Sequence, residues 1–182
     1  MKRDRQKLKK YAIHILAVPA VGGDTFDLPM AQNAVISCTD RKPGGYLESG
    51  NIPHHLALLF PDTEDSRVPG AFGAEHAGAV ARFLGSLPDS VTDLYICCAE
   101  GQSRSAGLAA ALLKGSRRSD RDVWRNPFYA PNQLVYREMC RELGIIMPRF
   151  RVRIRKRLNA RAYRKAQKTG NAGKYERWQI LF

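Results

Sequence analysis

The stretch from Asp93 to Leu113 constrains the fold most, because three different local structures follow one another there without a break. The apolar residues 94–97 are typical of a buried strand, and the small residues 99–103 are typical of a short loop. A strongly helical segment follows over residues 106–113. A buried strand that leads through a tight loop into a helix is a recurring unit of α/β proteins. The stretch therefore predicts an α/β domain with a ligand loop at the carboxyl end of a strand.

Two side chains at the ends of this loop have chemistry suited to a phosphate group. Cys98 closes the strand and Arg104 opens the helix. A helix N-terminus presents unpaired N–H groups and the positive end of the helix dipole, so it binds anions. Gly101 lets the backbone approach a ligand, and the planar guanidinium of Arg104 can bind two phosphate oxygens. Such a positive field also favours the nucleophilic thiolate form of a nearby cysteine. These residues predict phosphate-ester hydrolysis through a cysteinyl-phosphate.

A structural interpretation stands beside the catalytic one. Cys97 and Cys98 could both be core residues at a strand end, with Arg104 as a solvated residue of the helix cap. The order of strand, glycine-containing loop and helix favours the catalytic interpretation. A nucleotide-binding P-loop is excluded because the stretch lacks the glycine-lysine-serine/threonine sequence.

The loop resembles that of the cysteine-based protein tyrosine phosphatase superfamily, in its dual-specificity-like branch of small bacterial and phage type. The matching residues are Cys98-Ala-Glu-Gly-Gln-Ser-Arg104-Ser105. The resemblance implies the fold of that family, a central, mainly parallel sheet flanked by helices. It also implies that Cys98 is the nucleophile, that Arg104 binds the phosphate and its transition state, and that Ser105 assists departure of the thiolate. The phosphate-binding residues would be Ala99, Glu100, Gly101, Gln102, Ser103 and Arg104.

A second segment extends the resemblance. Ala130-Pro-Asn132-Gln-Leu-Val-Tyr-Arg137 is similar to the proline-asparagine segment that opens the next helix in the family. By that resemblance Asn132 supports the catalytic loop through hydrogen bonds. Pro and Asn also mark an ordinary helix start, and both interpretations can hold together.

The chain departs from the family pattern immediately before the nucleophile, where the family usually has histidine and this chain has Cys97. The missing histidine puts the stabilisation of the thiolate in doubt. Cys97 is either a buried strand residue, which we favour, or a thiol that captures oxidised Cys98. The acidic Glu100 in the loop disfavours highly anionic phosphoinositide headgroups as substrates.

Hydrolysis also needs a general acid to protonate the leaving oxygen. In the resembled family this acid is an aspartate on a loop upstream of the cysteine. Asp62 and Asp65 both lie in the loop that follows the predicted strand at residues 56–60. Small bacterial relatives place the aspartate directly after the aromatic end of the strand, which favours Asp62 and leaves Asp65 as the alternative. Both carboxylates could also merely solvate the loop.

Composition and charge limit the remaining possibilities. The chain has 182 residues and 44% hydrophobic residues, enough for one well-packed domain. Its four cysteines, at positions 38, 97, 98 and 140, form neither a disulfide framework nor a paired metal-ligand spacing. We therefore expect reduced thiols in a cytoplasmic protein, with no metal or other cofactor. No apolar run approaches the length needed to span a membrane.

The net charge of +13 lies at the two ends of the chain. Residues 1–10 carry six Lys/Arg and one Asp, and residues 149–182 carry twelve Lys/Arg and one Glu. We therefore divide the chain into a basic extension (1–10), a catalytic domain (11–147) and a basic C-terminal extension (148–182). Residues 148–157 alternate basic and apolar side chains, which predicts a strand, and 159–168 predict a basic helix. A turn is predicted at 170–173, before the terminal Trp178 and Phe182.

The basic C-terminal extension has several candidate partners. Nucleic acid, an acidic protein partner and an anionic surface all fit its charge, and the aromatic residues Phe150, Tyr163, Tyr175 and Trp178 could stack on bases. A solvated extension whose aromatic residues pack back on the domain is equally compatible.

The rest of the chain predicts alternating strands and helices. Strands are predicted at residues 11–18, 34–38, 56–60 and 94–97, and helices at 74–87, 103–113 and 132–143. Residues 116–125 predict a polar connection, and Asn126-Pro127 predicts a break. Together these features predict a phosphatase that hydrolyses phosphate monoesters. The resemblance to the phosphatase family implies a phosphoprotein carrying phosphotyrosine as the leading substrate. The alternatives are an RNA 5′-phosphatase or triphosphatase and a catalytically weak module that binds phosphate or nucleic acid.

Overall fold

The computed structural model of the chain describes residues 8–17, 32–40, 52–169 and 179–181. Within these ranges the strands are Ala12–Ala17 (β1), Asn33–Thr39 (β2), His55–Leu59 (β3), Asp93–Cys98 (β4) and Gln179–Leu181 (β5). The helices are Ala74–Ser86 (α1), Arg104–Gly115 (α2), Arg121–Arg125 (α3), Gln133–Glu142 (α4) and Arg149–Lys168 (α5). A short 3-10 turn, Leu8–Lys10, precedes β1. Of the predicted features, residues 1–7, Val18, the turn at 170–173, Tyr175, Trp178 and Phe182 lie outside the described residues.

The strands form one sheet in the order β3-β2-β4-β1-β5. The first four of these are mutually parallel, and β5 pairs antiparallel with β1. The α/β class and the mainly parallel sheet are therefore confirmed. Strands in the interior of a parallel sheet are covered on both faces, and β2 is accordingly buried along its whole length, including its polar residues Asn33, Ser37 and Thr39.

The strand that carries Cys98 lies at the centre of the sheet. β4 pairs with β1 on one side and with β2 on the other, so its carboxyl end lies between the carboxyl ends of these two strands. In open α/β sheets, ligands bind at the carboxyl ends of the strands. One face of the sheet, including Ile15, Ile36 and Ile96, belongs to the hydrophobic core.

Helix α2 is the central helix of that core, and it starts directly beneath the predicted ligand loop. All of its residues except Lys114 are buried. The small residue Gly107 allows α2 to approach the start of α4, because a Cβ there would lie 2.6 Å from the carbonyl oxygen of Asn132. This close contact brings the segment before α4 to the loop between β4 and α2.

Two predictions about local structure are wrong. Residues 148–157 do not form a strand, because α5 runs without interruption from Arg149 to Lys168. Its buried residues Val152 and Ala166 face the domain at helical spacing, and this packing overrides the short alternation. Residues 116–125 are not only a polar connection, because α3 forms there and buries Val123 and Trp124.

None of the described helices is long and apolar enough to cross a membrane.

Candidate active site

The loop between β4 and α2 is held against the end of β1. Gly101 has a positive φ of 68°, and a Cβ at this position would lie 2.7 Å from the backbone carbon of Leu16. Only glycine meets both requirements without strain. The amide of Gly101 donates to the carbonyl of Cys98, at 3.3 Å. Gly101 therefore shapes the loop, and its own N–H turns towards Cys98 instead of towards a ligand.

Cys98 lies at the base of this loop with a hydroxyl beside it. Its thiol is buried, and the Sγ atom lies 3.1 Å from the Oγ atom of Ser105, which is also buried. Either atom can be the donor in this hydrogen bond. With Cys98 as a thiolate, the hydroxyl of Ser105 must donate, and that interaction stabilises the negative sulfur.

Arg104 provides a buried positive charge with an unused donor. Only 4% of the residue is exposed. Its Nη1 atom donates to the carbonyl of Phe60, at 3.1 Å, whereas its Nε atom is buried and has no hydrogen-bond partner within the described part of the chain. The nearest carboxylate oxygen, Oδ2 of Asp62, is 3.9 Å from Nε, which is too long for a hydrogen bond. A buried unpaired donor is costly, and an anion bound at this loop would satisfy it.

Asp62 is the predicted acid that the structure brings to the loop. Its Oδ1 atom accepts hydrogen bonds from the Oγ atom of Ser103 and from the Nδ2 atom of Asn132, each at 2.8 Å. Its side chain is 40% exposed, so the carboxylate is accessible from solvent. Asp65 instead forms a hydrogen-bonded pair with Arg67 on the surface, and these hydrogen bonds lower the pKa of Asp65. A carboxyl held ionised in this way is a poor proton donor.

Asn132 connects three segments around the loop. Its Oδ1 atom accepts from the amides of Leu134 and Val135, which caps α4. Its Nδ2 atom donates to Asp62 and to the carbonyl of Thr63, and its backbone amide donates to the carbonyl of Ser103. Asn132 therefore lies where both interpretations place it, as the start of a helix and as a support for the loop.

The remaining loop residues differ in exposure. Ala99 and Glu100 are exposed, and Gln102 is half-buried with its carbonyl accepting from the amide of Ala130. Glu100 thus puts a negative charge at the solvent side of the loop.

Cys97 does not face Cys98. Successive residues of a strand point to opposite faces of the sheet, and Cys98 belongs to the core from which Cys97 is absent. Burial raises the pKa of the Cys97 thiol to about 12. Cys97 is thus placed as a buried strand residue, the interpretation we favoured, and not as a neighbour that captures Cys98. Cys38 lies opposite Cys98 in the register of the adjacent strands β2 and β4. The spacing of the cysteines along the sequence did not indicate this.

The loop that carries Asp62 is also fastened at a second point, which the sequence did not indicate. Glu64 accepts from the amide and the side chain of Gln133 at the start of α4, and from the Nζ atom of Lys156 in α5 at 3.0 Å. Burial opposes ionisation of Glu64, but these hydrogen bonds hold its pKa below the usual value. Helices α4 and α5 therefore position the segment that bears the candidate acid.

Other sites in the described residues are less informative. No cluster of three or more His, Cys, Asp or Glu side chains there could hold a metal ion. A cavity of about 240 Å³ lies beside the C-terminal end of α4. It is lined by Arg137, Arg141 and residues 144–147, and none of the residues of the loop between β4 and α2 lines it. A comparison with protein-family models and with curated protein sequences found no match.

Proposed function

We propose that the protein is a cysteine-dependent phosphatase with the fold of the protein tyrosine phosphatase superfamily. The observation that supports this most strongly is the pairing of Cys98 with Ser105 beneath a helix whose first residue, Arg104, has a buried and unused donor. A thiol, a hydroxyl and a guanidinium at one helix N-terminus match the needs of phosphoryl transfer to sulfur. The fold class and the position of the loop at the carboxyl end of the central strand agree with this assignment.

The first step transfers the phosphoryl group to the enzyme. The thiolate of Cys98 attacks phosphorus, a sulfur–phosphorus bond forms, and the bond to the leaving oxygen breaks. Arg104 and the N-terminal amides of α2 stabilise the charge on the equatorial oxygens. The carboxyl group of Asp62 gives its proton to the leaving oxygen. The alcohol or phenol departs, and the carboxylate of Asp62 remains.

The second step returns the enzyme to its starting state. Water attacks the phosphocysteine, and Asp62 takes a proton from that water as a general base. The sulfur–phosphorus bond breaks, and the hydroxyl of Ser105 donates to the departing thiolate. Inorganic phosphate leaves, and the thiolate of Cys98 is restored. Neither step consumes an oxidant or a cofactor. A phosphoprotein carrying phosphotyrosine is the proposed substrate, on the basis of the family resemblance.

A pair of adjacent cysteine variants provides a matched test. We expect Cys98→Ser to abolish hydrolysis of a small aryl phosphate and to remove the phosphocysteine that mass spectrometry detects after acid quenching. Cys97→Ser changes the neighbouring thiol on the opposite face, so it should retain hydrolysis. Turnover should also be insensitive to a metal chelator. Equal loss in both variants would contradict the assignment of the nucleophile.

Two further measurements separate the alternatives. If tungstate binds but no phosphate ester is turned over, the protein is a phosphate-binding module and the catalytic proposal fails. Direct competition between a phosphotyrosine peptide and a 5′-triphosphorylated RNA identifies the substrate class. We expect Asp62→Asn to lower kcat for an ester with a poor leaving group by about 10²- to 10⁴-fold. Asp65→Asn, the matched control in the same loop, should retain kcat.

A further inference from the structure

One face of helix α5, which contains both polar and apolar side chains, packs against the domain. That face is formed by Val152, Arg155, Asn159 and Ala166, which recur every three to seven residues. Arg155 donates from Nε and Nη2 to the two carboxylate oxygens of the buried Asp120, at 2.6 and 2.7 Å. The hydroxyl of Tyr136 donates to the same carboxylate. A buried bidentate pair of this kind fixes the rotation of the helix about its axis.

The opposite face of α5 carries a line of positive charge. Its members are Arg153, Arg157, Arg161, Arg164 and Lys168, which we call the basic line. They follow one another at intervals of four, four, three and four residues, so they lie on one side of the helix. All five are exposed. At 1.5 Å per residue the line is about 22 Å long, with close to one cation per helical turn.

No carboxylate in the described part of the chain compensates the charge of the basic line. α5 contains no acidic residue, and none of the five side chains pairs with a carboxylate in the part of the chain that the structure describes. Like charges four residues apart destabilise a helix. A partner with regularly spaced negative charges would relieve this repulsion, and a nucleic-acid backbone has that regularity. Four of the five cations are Arg, which binds phosphate oxygens through its planar fork.

Exposed apolar side chains lie beside the basic line. Phe150 and Ile154 are 59% and 48% exposed, and they precede Arg157 by seven and three residues, on the same side of the helix. An exposed aromatic ring beside cations can stack on an unpaired base, whereas the bases of a duplex are already stacked. A membrane surface fits less well, because the packing of Val152 and Ala166 in the domain leaves no broad apolar face for lipid.

We propose that the outer face of α5 binds single-stranded nucleic acid, with the basic line on the phosphodiester backbone and Phe150 against a base. The ion pair between Lys156 and Glu64 places helix α5, though not the basic line itself, beside the loop that carries Asp62. Binding of a nucleic-acid strand needs no phosphatase activity, so its test is independent of the proposed function.

The test measures fluorescence anisotropy of labelled single strands of RNA and DNA, long enough to span α5, over a range of salt. Five phosphate contacts predict a slope of log K against log salt of about −3.5. The triple variant Arg157→Gln, Arg161→Gln and Arg164→Gln should reduce that slope by about 2 and weaken binding about 100-fold near 0.1 M salt. The conservative Arg→Lys triple should restore most of the slope.

A charge-matched control is available outside α5. Arg82, Arg117 and Arg121 are exposed, and their replacement by Gln removes the same net charge. The control triple should bind the strands nearly as the natural protein does, and circular dichroism confirms that each variant is folded. Equal weakening in both triples would show only a net-charge effect and would overturn the proposal.

The choice of ligand has its own test. Phe150→Ala should weaken binding of a single strand by about tenfold and leave binding of a duplex unchanged. The proposal is also overturned if polyglutamate or phosphatidylserine vesicles bind at a salt concentration where neither RNA nor DNA strands bind. The first of these results would assign the surface to an acidic protein, and the second would assign it to a membrane.

Discussion

The substitution Asn132→Asp tests the candidate site at its centre. The Nδ2 atom of Asn132 lies 2.8 Å from Oδ1 of Asp62. Aspartate is nearly isosteric with asparagine and caps a helix equally well, so the start of α4 is retained. The change replaces a donor with a second carboxylate at hydrogen-bond distance. The change also removes the hydrogen bond from Nδ2 to the carbonyl of Thr63, so the control variant must lack this donor as well and add no charge.

The expected size follows from Coulomb's law. Two unit charges 2.8 Å apart repel by about 6 kcal/mol at an effective dielectric of 20 and by about 1.5 kcal/mol in water. Because Asp62 is 40% exposed, we use the lower half of that range, about 1.5–3 kcal/mol. This repulsion raises the pKa of one carboxyl of the new pair.

The stability measurement compares Asn132→Asp with Asn132→Ser. Serine keeps the cap, loses the amide and adds no charge, so the difference between the variants isolates the repulsion. At neutral pH the Asp variant should be less stable to urea by about 1.5–3 kcal/mol. A raised pKa in the folded state favours proton binding on folding, so this deficit should shrink as the pH falls to about 4.

The activity measurement uses a phosphate ester with a poor leaving group, because such an ester needs a proton for departure. If the pair that includes Asp62 is the general acid, the alkaline limb of kcat in Asn132→Asp should move up by about one to two pH units relative to Asn132→Ser. Equal unfolding free energies at both pH values would refute the described contact. A normal stability response with an unmoved limb would refute only the role of Asp62.

Three further predictions concern other parts of the structure. Burial keeps the Cys97 thiol neutral, so the stability it contributes is present below pH 9.0 and is lost at about 1.4 kcal/mol per pH unit up to about pH 12. The buried Cys140 thiol, whose pKa is also raised to about 12, adds its own loss, so Cys97→Ala should make the slope in alkaline urea titrations shallower by about 1.4 kcal/mol per pH unit without removing it. Gly101→Ala should cost more than about 2 kcal/mol and abolish tungstate binding, whereas Gly85→Ala, where a Cβ meets open space in α1, should be neutral or slightly stabilising by thermal unfolding. Arg155→Met should cost about 3–5 kcal/mol by leaving Asp120 buried and unpaired, and adding Asp120→Asn should recover most of that loss in the same urea measurement.

The sheet and the loop after β4 were predictable because their signals are local. The parallel strands form short apolar runs bounded by polar residues, and the loop contains its thiol, glycine and arginine within seven residues. The opposite orientations of Cys97 and Cys98 also follow from the period of a strand. In these places each residue's role is set mainly by its immediate neighbours in the chain.

The choice between Asp62 and Asp65 was not predictable with the same certainty, because both acids follow the same strand. The contacts that distinguish them come from Ser103 and Asn132, which are distant in sequence. The arginine that engages Asp65, by contrast, is only two residues away. Sequence spacing cannot tell which of two nearby carboxylates a distant amide will reach.

The helix at residues 149–168 is a second case in which contacts with distant residues decide the structure. Three apolar residues alternate with arginine at its start, and that pattern alone predicts a strand. The structure is helical because Val152, Arg155 and Asn159 reach the domain together only at helical spacing. The partner that fixes the helix, Asp120, precedes it by a long stretch of chain and carries no local signal.

These contacts also decide how the basic C-terminal extension can be studied. Deleting residues after Met147 would remove Arg155 from the buried carboxylate of Asp120 and Lys156 from Glu64. The first loss leaves a buried charge unpaired, and the second frees the loop that carries Asp62, so both stability and the candidate site would change. A loss of nucleic-acid binding after such a deletion would not identify the surface responsible. Substitution of the exposed basic line alone leaves the inner face of α5 in place, and for that reason it separates binding from folding.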